Sequence, residues 1–215
     1  MFMYQKEWDE KHIKYKSAEW IDKPAIFAKW VVSFLPKSGR LLDMGCGQGQ
    51  DSRFFSELGY EVMAVDLSAQ GIRFAEEKAN RGKYNNLEFK TADIVESLPF
   101  ADSEFDVVYS HLAIHYFDTE TTFKIITEIK RVLKPGGVFA CLVNSIHDPE
   151  YSYGEQIETD YFLIHGIRKH FFSKKTLGQF LSGFETVVLD ENGETYKDRA
   201  INTQNLVRFV GRNIS

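Results

Sequence analysis

Cysteine is scarce in this chain of 215 residues, which contains two, Cys46 and Cys141. They lie far apart, and neither belongs to a Cys-x-x-Cys pair or to a cluster of cysteine and histidine, so no zinc or other metal site is expected. Both fall in or beside predicted strands, where a small buried thiol is the ordinary finding. So few scattered cysteines suit a reducing compartment, and we expect a cytoplasmic protein.

Long apolar runs and an excess of positive charge are also missing. The longest apolar run, near Val138–Val143, is far too short to cross a bilayer, and the charged, aromatic N-terminus MFMYQKEWDEKHIKYK is unlike a signal peptide. We therefore expect no membrane partner. The formal net charge of −5 argues against a nucleic-acid partner held by phosphate contacts, and the basic run Arg168–Lys175 is interpreted as a solvated face.

Strand-like and helix-like stretches alternate from about Gly39 onward. Strands are predicted at Leu41–Met44, Glu61–Asp66, Leu87–Thr91, Asp106–Ser110 and Val138–Asn144. Helices are predicted between them at Asp51–Leu58, Ala69–Arg81 and Thr119–Leu133. This alternation indicates βαβ units, a parallel sheet and right-handed crossovers. Two later runs, Phe184–Asp190 and Leu206–Gly211, have no long helix between them, so they are expected to pair antiparallel at the sheet edge.

The fold class that follows is α/β, as a single domain over residues 1–215. We predict a doubly wound, Rossmann-like, mostly parallel seven-stranded sheet with an antiparallel C-terminal strand pair and helices on both faces. Residues 1–38 are predicted to form an N-terminal helical cap of two helices split near Pro24, and residues 145–182 an aromatic, partly helical insertion. Both are expected to lie over the carboxyl ends of the strands, where open α/β sheets bind ligands.

Aromatic residues in the predicted cap suit two roles. A lid over a small apolar or cationic substrate would use their faces, while simple packing of two helices on the domain is the alternative. The residues concerned are Tyr4, Trp8, Tyr15 and Trp20.

A glycine-rich turn follows the first predicted strand, in the segment LLDMGCGQGQDS at Leu41–Ser52. Glycines at alternate positions let a ligand approach the backbone closely, and the helix that follows offers free N–H groups. The dinucleotide fingerprint G-x-G-x-x-G would need glycine at position 50, where this chain has Gln50. The pattern is G-x-G-x-G instead, which argues against a nicotinamide-dependent oxidoreductase.

Three acids stand at or just after the ends of successive predicted strands. Asp43, before the turn, would repel a diphosphate and attract the ammonium of an amino-acid moiety, directly or through water. Asp66 ends the second strand, where a carboxylate accepts hydrogen bonds from ribose hydroxyls. Asp93 follows the third strand and could accept from an adenine amino group while Ile94 packs on the ring. The structural alternatives are a helix or turn cap for Asp43, a helix N-cap for Asp66 and a loop carboxylate for Asp93.

These segments resemble the class I S-adenosylmethionine-dependent methyltransferases. LLDMGCGQGQDS is similar to their first motif, AVDLS to the acidic motif of strand two, and LKPGG to the turn before strand five. TADIVESLPFADSEFDVVYSHLAIHYF resembles the stretch with the adenine and post-strand-four motifs. The similarity runs in order from about Gly39 to Asn144. Within the family, GCGQGQDSRFFSELGYEVMAVD is similar to the tellurite-resistance (TehB-like) and related small-molecule methyltransferases.

The resemblance implies S-adenosyl-L-methionine as the cofactor and S-adenosyl-L-homocysteine as its product. The turn would line the methionine part, Leu67 would flank the adenine, and His111 would lie close to the sulfonium and its methyl group. The implied cofactor-binding residues are Asp43, Gly45, Cys46, Gly47, Gly49, Asp66, Leu67, Asp93, Ile94 and His111.

Candidate catalytic residues cluster after the fourth predicted strand, at His111, His115 and Tyr116. The family has no invariant catalytic residue, so no such role carries over from it. A general base would help an oxygen or nitrogen nucleophile by about a hundredfold or more. Core packing or helix capping is the alternative for the two histidines.

The leading functional hypothesis is methyl transfer to a small-molecule acceptor by in-line displacement. A non-catalytic S-adenosylmethionine-binding module is the alternative, and a nicotinamide-dependent oxidoreductase is the weaker one. An accessible cavity beside the methyl group, lined by His111, His115 and the lid, would favour the enzyme over the module. An RNA or protein acceptor is less expected, since no basic recognition domain is evident. The sequence does not indicate an oligomeric state.

Overall fold

A computed structural model describes residues 2–82, 84–196 and 204–214. The strands are β1 Arg40–Met44, β2 Glu61–Asp66, β3 Leu87–Thr91, β4 Phe105–His111, β5 Leu133–Asn144, β6 Glu155–Glu158, β7 Tyr161–Ile164, β8 Ile167–His170, β9 Phe184–Asp190 and β10 Leu206–Asn213. The helices are α1 Phe2–Tyr15, α2 Ile26–Val31, α3 Gln50–Glu57, α4 Ala69–Gly82, α5 Thr119–Val132 and α6 Lys174–Phe180. Short 3₁₀ turns span Val32–Phe34 and Ile114–Tyr116.

Seven strands form the central sheet in the order β3-β2-β1-β4-β5-β10-β9. The first five strands pair in parallel, and β10 runs antiparallel to both β5 and β9. The predicted doubly wound sheet with its antiparallel C-terminal pair is confirmed. The strand order reverses between β1 and β4, and such a switch point opens a crevice at the carboxyl ends of the strands.

Hydrophobic cores lie on both faces of this sheet. Adjacent residues of a strand enter opposite cores, as Leu41 and Leu42 do, since side chains alternate along a strand. One core holds residues of α2, α3 and α4, and the other holds residues of α5 and α6. Burial on both faces explains why the central strands β1, β4 and β5 contain short, nearly continuous apolar runs, whereas the edge strand β3 does not.

The predicted boundaries of α5 and β5 need one correction. Asp118 caps α5, because its Oδ1 accepts a hydrogen bond from the Thr121 N–H at 2.8 Å. However, β5 begins at Leu133 and not at Val138, so the Lys-Pro-Gly-Gly turn lies within the strand. The pairing of β5 with β4 is irregular there, since the register shifts between Phe105 and Val107.

The N-terminal segment has two helices, α1 and α2, with a series of turns between them. A buried carboxylate fixes the start of α2: Asp51 accepts hydrogen bonds from the Ala25 N–H at 2.6 Å and from the Tyr109 hydroxyl at 2.8 Å. Pro24 directly precedes Ala25, at the end of the turns that separate α1 from α2.

The insertion at residues 145–182 differs most from its expected, partly helical form. It contains a separate three-stranded antiparallel sheet, β6-β7-β8, before the single helix α6. Each of these strands has four residues, and the turns use Asp160 at φ 60° and His165 at φ 49°. Such short strands, joined by turns with left-handed non-glycine residues, leave little periodic signal in the sequence. Across the described ranges, none of the helices is long and apolar enough to cross a membrane.

Candidate cofactor and acceptor site

A cavity of about 380 Å³ opens at the carboxyl ends of the parallel strands. Its floor is formed by residues that follow β1, β2, β3 and β4, on both sides of the switch point. Helix α1 and strands β7 and β8 supply further walls. The volume is within the range of small-molecule sites, which is about 300–1,000 Å³.

The glycine turn lies against this cavity through Gly45 and Gly47. Their φ angles are 75° and 56°, in the left-handed region that favours glycine. A Cβ atom added to Gly45 would lie 2.2 Å from the Cβ of Ala113, so the turn could not keep its place with a larger residue. Cys46 and Gly49 are not among the lining residues; Cys46 is buried, and Gly49 is the N-cap of α3.

Asp43 lies behind the turn and does not line the cavity. Its side chain is buried, and its Oδ2 accepts a hydrogen bond from the Ser52 hydroxyl at 2.6 Å. Burial, followed by the nearby Asp51 carboxylate, raises the pKa of Asp43 to about 8. A direct contact with a ligand would therefore need the turn to move, and its predicted role stays a prediction.

Asp66 lies at the carboxyl end of β2 and lines the cavity. One carboxylate oxygen accepts from the Gly47 N–H and the other from the Ser68 N–H, both at 2.8 Å. Burial raises the pKa of Asp66, and the neighbouring His12 opposes that effect. Each oxygen keeps a second lone pair that can accept from a ligand hydroxyl.

The residues after β3 form the next part of the floor. Asp93 and Ile94 line the cavity, as does Leu67 after β2. The Oδ1 of Asp93 accepts from the Val95 N–H at 3.0 Å, which stiffens the loop. Six of the ten predicted cofactor-binding residues thus lie around one cavity: Gly45, Gly47, Asp66, Leu67, Asp93 and Ile94.

Of the three candidate catalytic residues, the structure places only Tyr116 on the cavity wall. Burial raises the pKa of its hydroxyl, which therefore stays protonated at neutral pH and can donate a hydrogen bond. His111 and His115 do not line the cavity. Burial lowers the pKa of both histidines, most strongly for His115, and thereby makes them weaker bases.

The N-terminal helix contributes side chains that the sequence did not single out. Lys11 and His12 line the cavity together with Trp8, an aromatic residue of the predicted lid. The ring of Trp8 meets that of Tyr116 edge-on at 4.7 Å, and the Lys11 ammonium lies 4.0 Å from the Trp8 ring centroid. The rings of Tyr15 and Trp20 contact each other, with their centroids 5.8 Å apart, and neither residue lines the cavity. The side chain of Tyr4 lies outside the described residues.

The small sheet of the insertion forms the wall on the other side. Tyr161, Ile167 and Arg168 line the cavity, and the Tyr161 hydroxyl donates to the Tyr116 carbonyl at 3.2 Å. The interpretation of Arg168–Lys175 as a solvated face holds for Arg168, Lys174 and Lys175, which are exposed, although Arg168 also lines the cavity. It is wrong for Lys169, which is largely buried and pairs with Glu150, and for the buried residues 170–172 that follow. This burial is a tertiary effect that charge counting does not reveal.

Comparison with known proteins agrees with this geometry. The family model described as a methyltransferase domain matches residues 42–141, which run from β1 into β5. The malonyl-[acyl-carrier protein] O-methyltransferase of Enterobacter lignolyticus is 41% identical over 101 residues, which are 47% of this chain and 37% of that protein. This match covers just under half of the chain, so the segment from β1 into β5 is similar to the class I S-adenosylmethionine-dependent methyltransferases. That similarity favours a methyltransferase over the nicotinamide-dependent alternative.

Solved structures described as methyltransferases share most of the fold. One from Methanosarcina mazei, described as a SAM-dependent methyltransferase, superimposes with a TM-score of 0.74 at 25% identity, over 86% of this chain and 97% of that one. The geranyl diphosphate C-methyltransferase of Streptomyces coelicolor A3(2) superimposes with a TM-score of 0.67 at 16% identity, over 86% and 77% of the two chains. That structure contains Mg²⁺, geranyl diphosphate and S-adenosyl-L-homocysteine. This chain spans about one third to one half of the length of the curated relatives that it matches.

Proposed function

We propose that this methyltransferase binds S-adenosyl-L-methionine and transfers its methyl group to a small-molecule acceptor by in-line displacement. The observation that carries the proposal is the continuity of one cavity. It joins Gly47, Asp66 and Asp93 at the strand ends to an aromatic wall of Trp8, Tyr116 and Tyr161. A ligand bound at the strand ends would therefore have an acceptor beside it in the same enclosure.

The strand-end residues suit an adenosine-containing ligand with a cationic amino-acid part. Asp66 offers carboxylate lone pairs for a ribose, Ile94 and Leu67 offer apolar surface for an adenine, and Gly45 and Gly47 leave room along the backbone. When bound, S-adenosylmethionine supplies a methyl group activated by the positive charge on sulfur. The pocket residues then hold the reactants and exclude water, and alignment alone can contribute about 7–11 kcal/mol.

The acceptor wall favours a molecule with an apolar or aromatic body and an anionic group. Aromatic faces of Trp8 and Tyr116 border the cavity, and the cationic groups of Lys11 and Arg168 lie on the same walls. We infer that Tyr116 orients the acceptor as a hydrogen-bond donor, since its raised pKa keeps the hydroxyl protonated. His111 and His115 are assigned indirect roles, as supports of the loop after β4.

A cavity beside the cofactor residues also bears on the non-catalytic alternative. A binding module would need no acceptor space beside the cofactor residues, whereas here α1 and the small sheet both border such a space. Of the features expected for the enzyme, the wall from α1 is present, while His111 and His115 lie off the cavity. The enzyme is therefore the better-supported function.

Calorimetry followed by an activity screen tests the proposal. S-adenosylmethionine and S-adenosylhomocysteine should bind at micromolar levels while NAD shows no binding. A screen with radiolabelled methyl donor should then include matched aromatic carboxylic acids, their neutral amides and their amines, with an acyl-carrier-bound acid as a further arm. Binding of NAD in place of the methyl donor would overturn the cofactor assignment. Donor binding without transfer to any acceptor class would favour the binding module.

A further inference from the structure

The N-terminal helix lies directly over the cofactor end of the cavity. Three hydrogen bonds attach it there. The Oδ1 of Asp9 accepts from the Ser68 hydroxyl at 2.5 Å and from the Gln70 N–H at 3.1 Å, and the Gln48 amide donates to the His12 carbonyl at 2.9 Å. Helix α1 is therefore joined both to the glycine turn and to the start of α4.

These contacts bring the His12 imidazole into the crevice between the two backbone segments. A Cβ atom added to Gly47 would lie 3.1 Å from the His12 Cε1, and one added to Gly71 would lie 3.0 Å from its Cδ2. Both distances are tighter than ordinary van der Waals contact, so glycine at these positions gives the ring its space. This close contact explains why Gly71 stands in the first turn of α4, although glycine by itself disfavours a helix.

The His12 side chain faces the carboxylate that is proposed to hold the ribose. Its Nε2 lies 4.0 Å from the Oδ1 of Asp66, and both residues line the cavity. That separation is too long for a hydrogen bond between them. It is short enough for the oxygen of one hydroxyl group to lie about 2.8 Å from both the His12 Nε2 and the Asp66 Oδ1. That hydroxyl can accept a hydrogen bond from the imidazole and donate one to the carboxylate. The pair therefore has the geometry of a two-point site for a hydroxyl group.

We propose that His12 is a cofactor-binding residue, which donates from Nε2 to a ribose hydroxyl that donates in turn to Asp66. This inference rests on the proposed function, because the ribose is that of S-adenosylmethionine. It assigns to α1 a direct part in holding the cofactor, beyond covering the acceptor. The charged groups around His12 are Asp66, Asp9 and Lys11.

Binding of S-adenosylhomocysteine to four proteins provides the first test. His12→Leu should bind it about tenfold more weakly than wild type, because one hydrogen-bond donor is lost. His12→Gln keeps a side-chain N–H and should recover most of the affinity. Glu10→Ala, an exposed position on the same helix, should stay within about twofold of wild type.

Competition by nucleosides separates a hydroxyl contact from simple docking of α1. Adenosine, 2′-deoxyadenosine and 3′-deoxyadenosine compete with S-adenosylhomocysteine, and wild type should prefer adenosine over at least one deoxynucleoside. His12→Leu should reduce that same preference. An affinity within twofold of wild type in His12→Leu, or an unchanged preference in that variant, overturns the inference while the proposed function stands. If wild type binds no S-adenosylhomocysteine at all, the proposed function has failed and the inference with it.

Discussion

Replacement of Asp66 offers the most direct test of the cofactor site. Its two oxygens accept from the Gly47 and Ser68 N–H groups, both at 2.8 Å, and its side chain is only 12% exposed. Alanine removes both acceptors and leaves two backbone donors with little access to water. Asparagine keeps one acceptor but turns its amide toward the other donor.

The expected magnitudes follow from these hydrogen bonds. A lost charge-assisted bond, or a donor left without a partner, costs about 1–3 kcal/mol. Burial already disfavours the charged carboxylate, which offsets part of the loss. We expect Asp66→Ala to lower the free energy of unfolding by about 1–3 kcal/mol, and Asp66→Asn to lower it by less. Both should weaken S-adenosylhomocysteine binding by about 1–3 kcal/mol, since only the carboxylate accepts from the ribose with a full charge.

Urea unfolding and calorimetry on the same samples measure the two effects separately. Glu76→Ala, at an exposed position of α4, is the matched control and should change neither. Because burial raises the pKa of Asp66 above its ordinary value, wild-type affinity should fall as the pH drops toward that pKa, where the carboxylate gains a proton. The affinity of the Asp66→Asn variant should not fall in this way as the pH drops. Wild-type affinity in a folded Asp66→Ala protein would refute the reasoning.

Three further changes test other parts of the molecule. Asp43 has a folded-state pKa of about 8, above that of an unfolded aspartate, so its stabilising effect is full at low pH and is lost as the pH rises toward 8. The free energy of unfolding of wild type should therefore fall relative to Asp43→Asn between about pH 5 and 8, by at most about 1.4 kcal/mol per pH unit; parallel pH profiles in urea unfolding would contradict this. Tyr109→Phe removes the hydroxyl that donates to the buried Asp51 at 2.8 Å. It should lower the free energy of unfolding by about 1–3 kcal/mol. An unchanged midpoint and slope in urea unfolding would be inconsistent with the contact. Tyr116→Phe keeps the ring against Trp8 and should leave the affinity for S-adenosylhomocysteine within about twofold of wild type. The kcat should fall about tenfold, because the hydrogen bond to the acceptor is lost. A kcat equal to that of wild type would show that the hydroxyl does not orient the acceptor.

The strands and the floor of the site were predictable because their signals are local. Strands β2, β3 and β9 begin and end where the pattern predicted, since a run of strand-forming residues bounded by turn residues specifies a strand. This holds even for β3 and β9 at the sheet edges, where most residues are not buried. The parallel arrangement then brings residues at successive strand ends to one edge of the sheet. For this reason the sequence alone predicts Asp66 and Asp93 at one ligand site, and both line the same cavity.

Side chains from distant segments also close the site, and only packing brings them together. Spacing could not reveal that α1 places His12 4.0 Å from Asp66, because packing against α4 brings these residues together. Nor could it show that Arg168 of β8 contributes to the cavity lining, or that His115 is only 2% exposed and lies off the cavity wall. By itself the sequence determined the sheet, the glycine turn and the acids at the strand ends, which depend on local periodicity and turn chemistry. Tertiary packing decided which residues close the site, because the free energy of a closing contact depends on neighbours far along the chain.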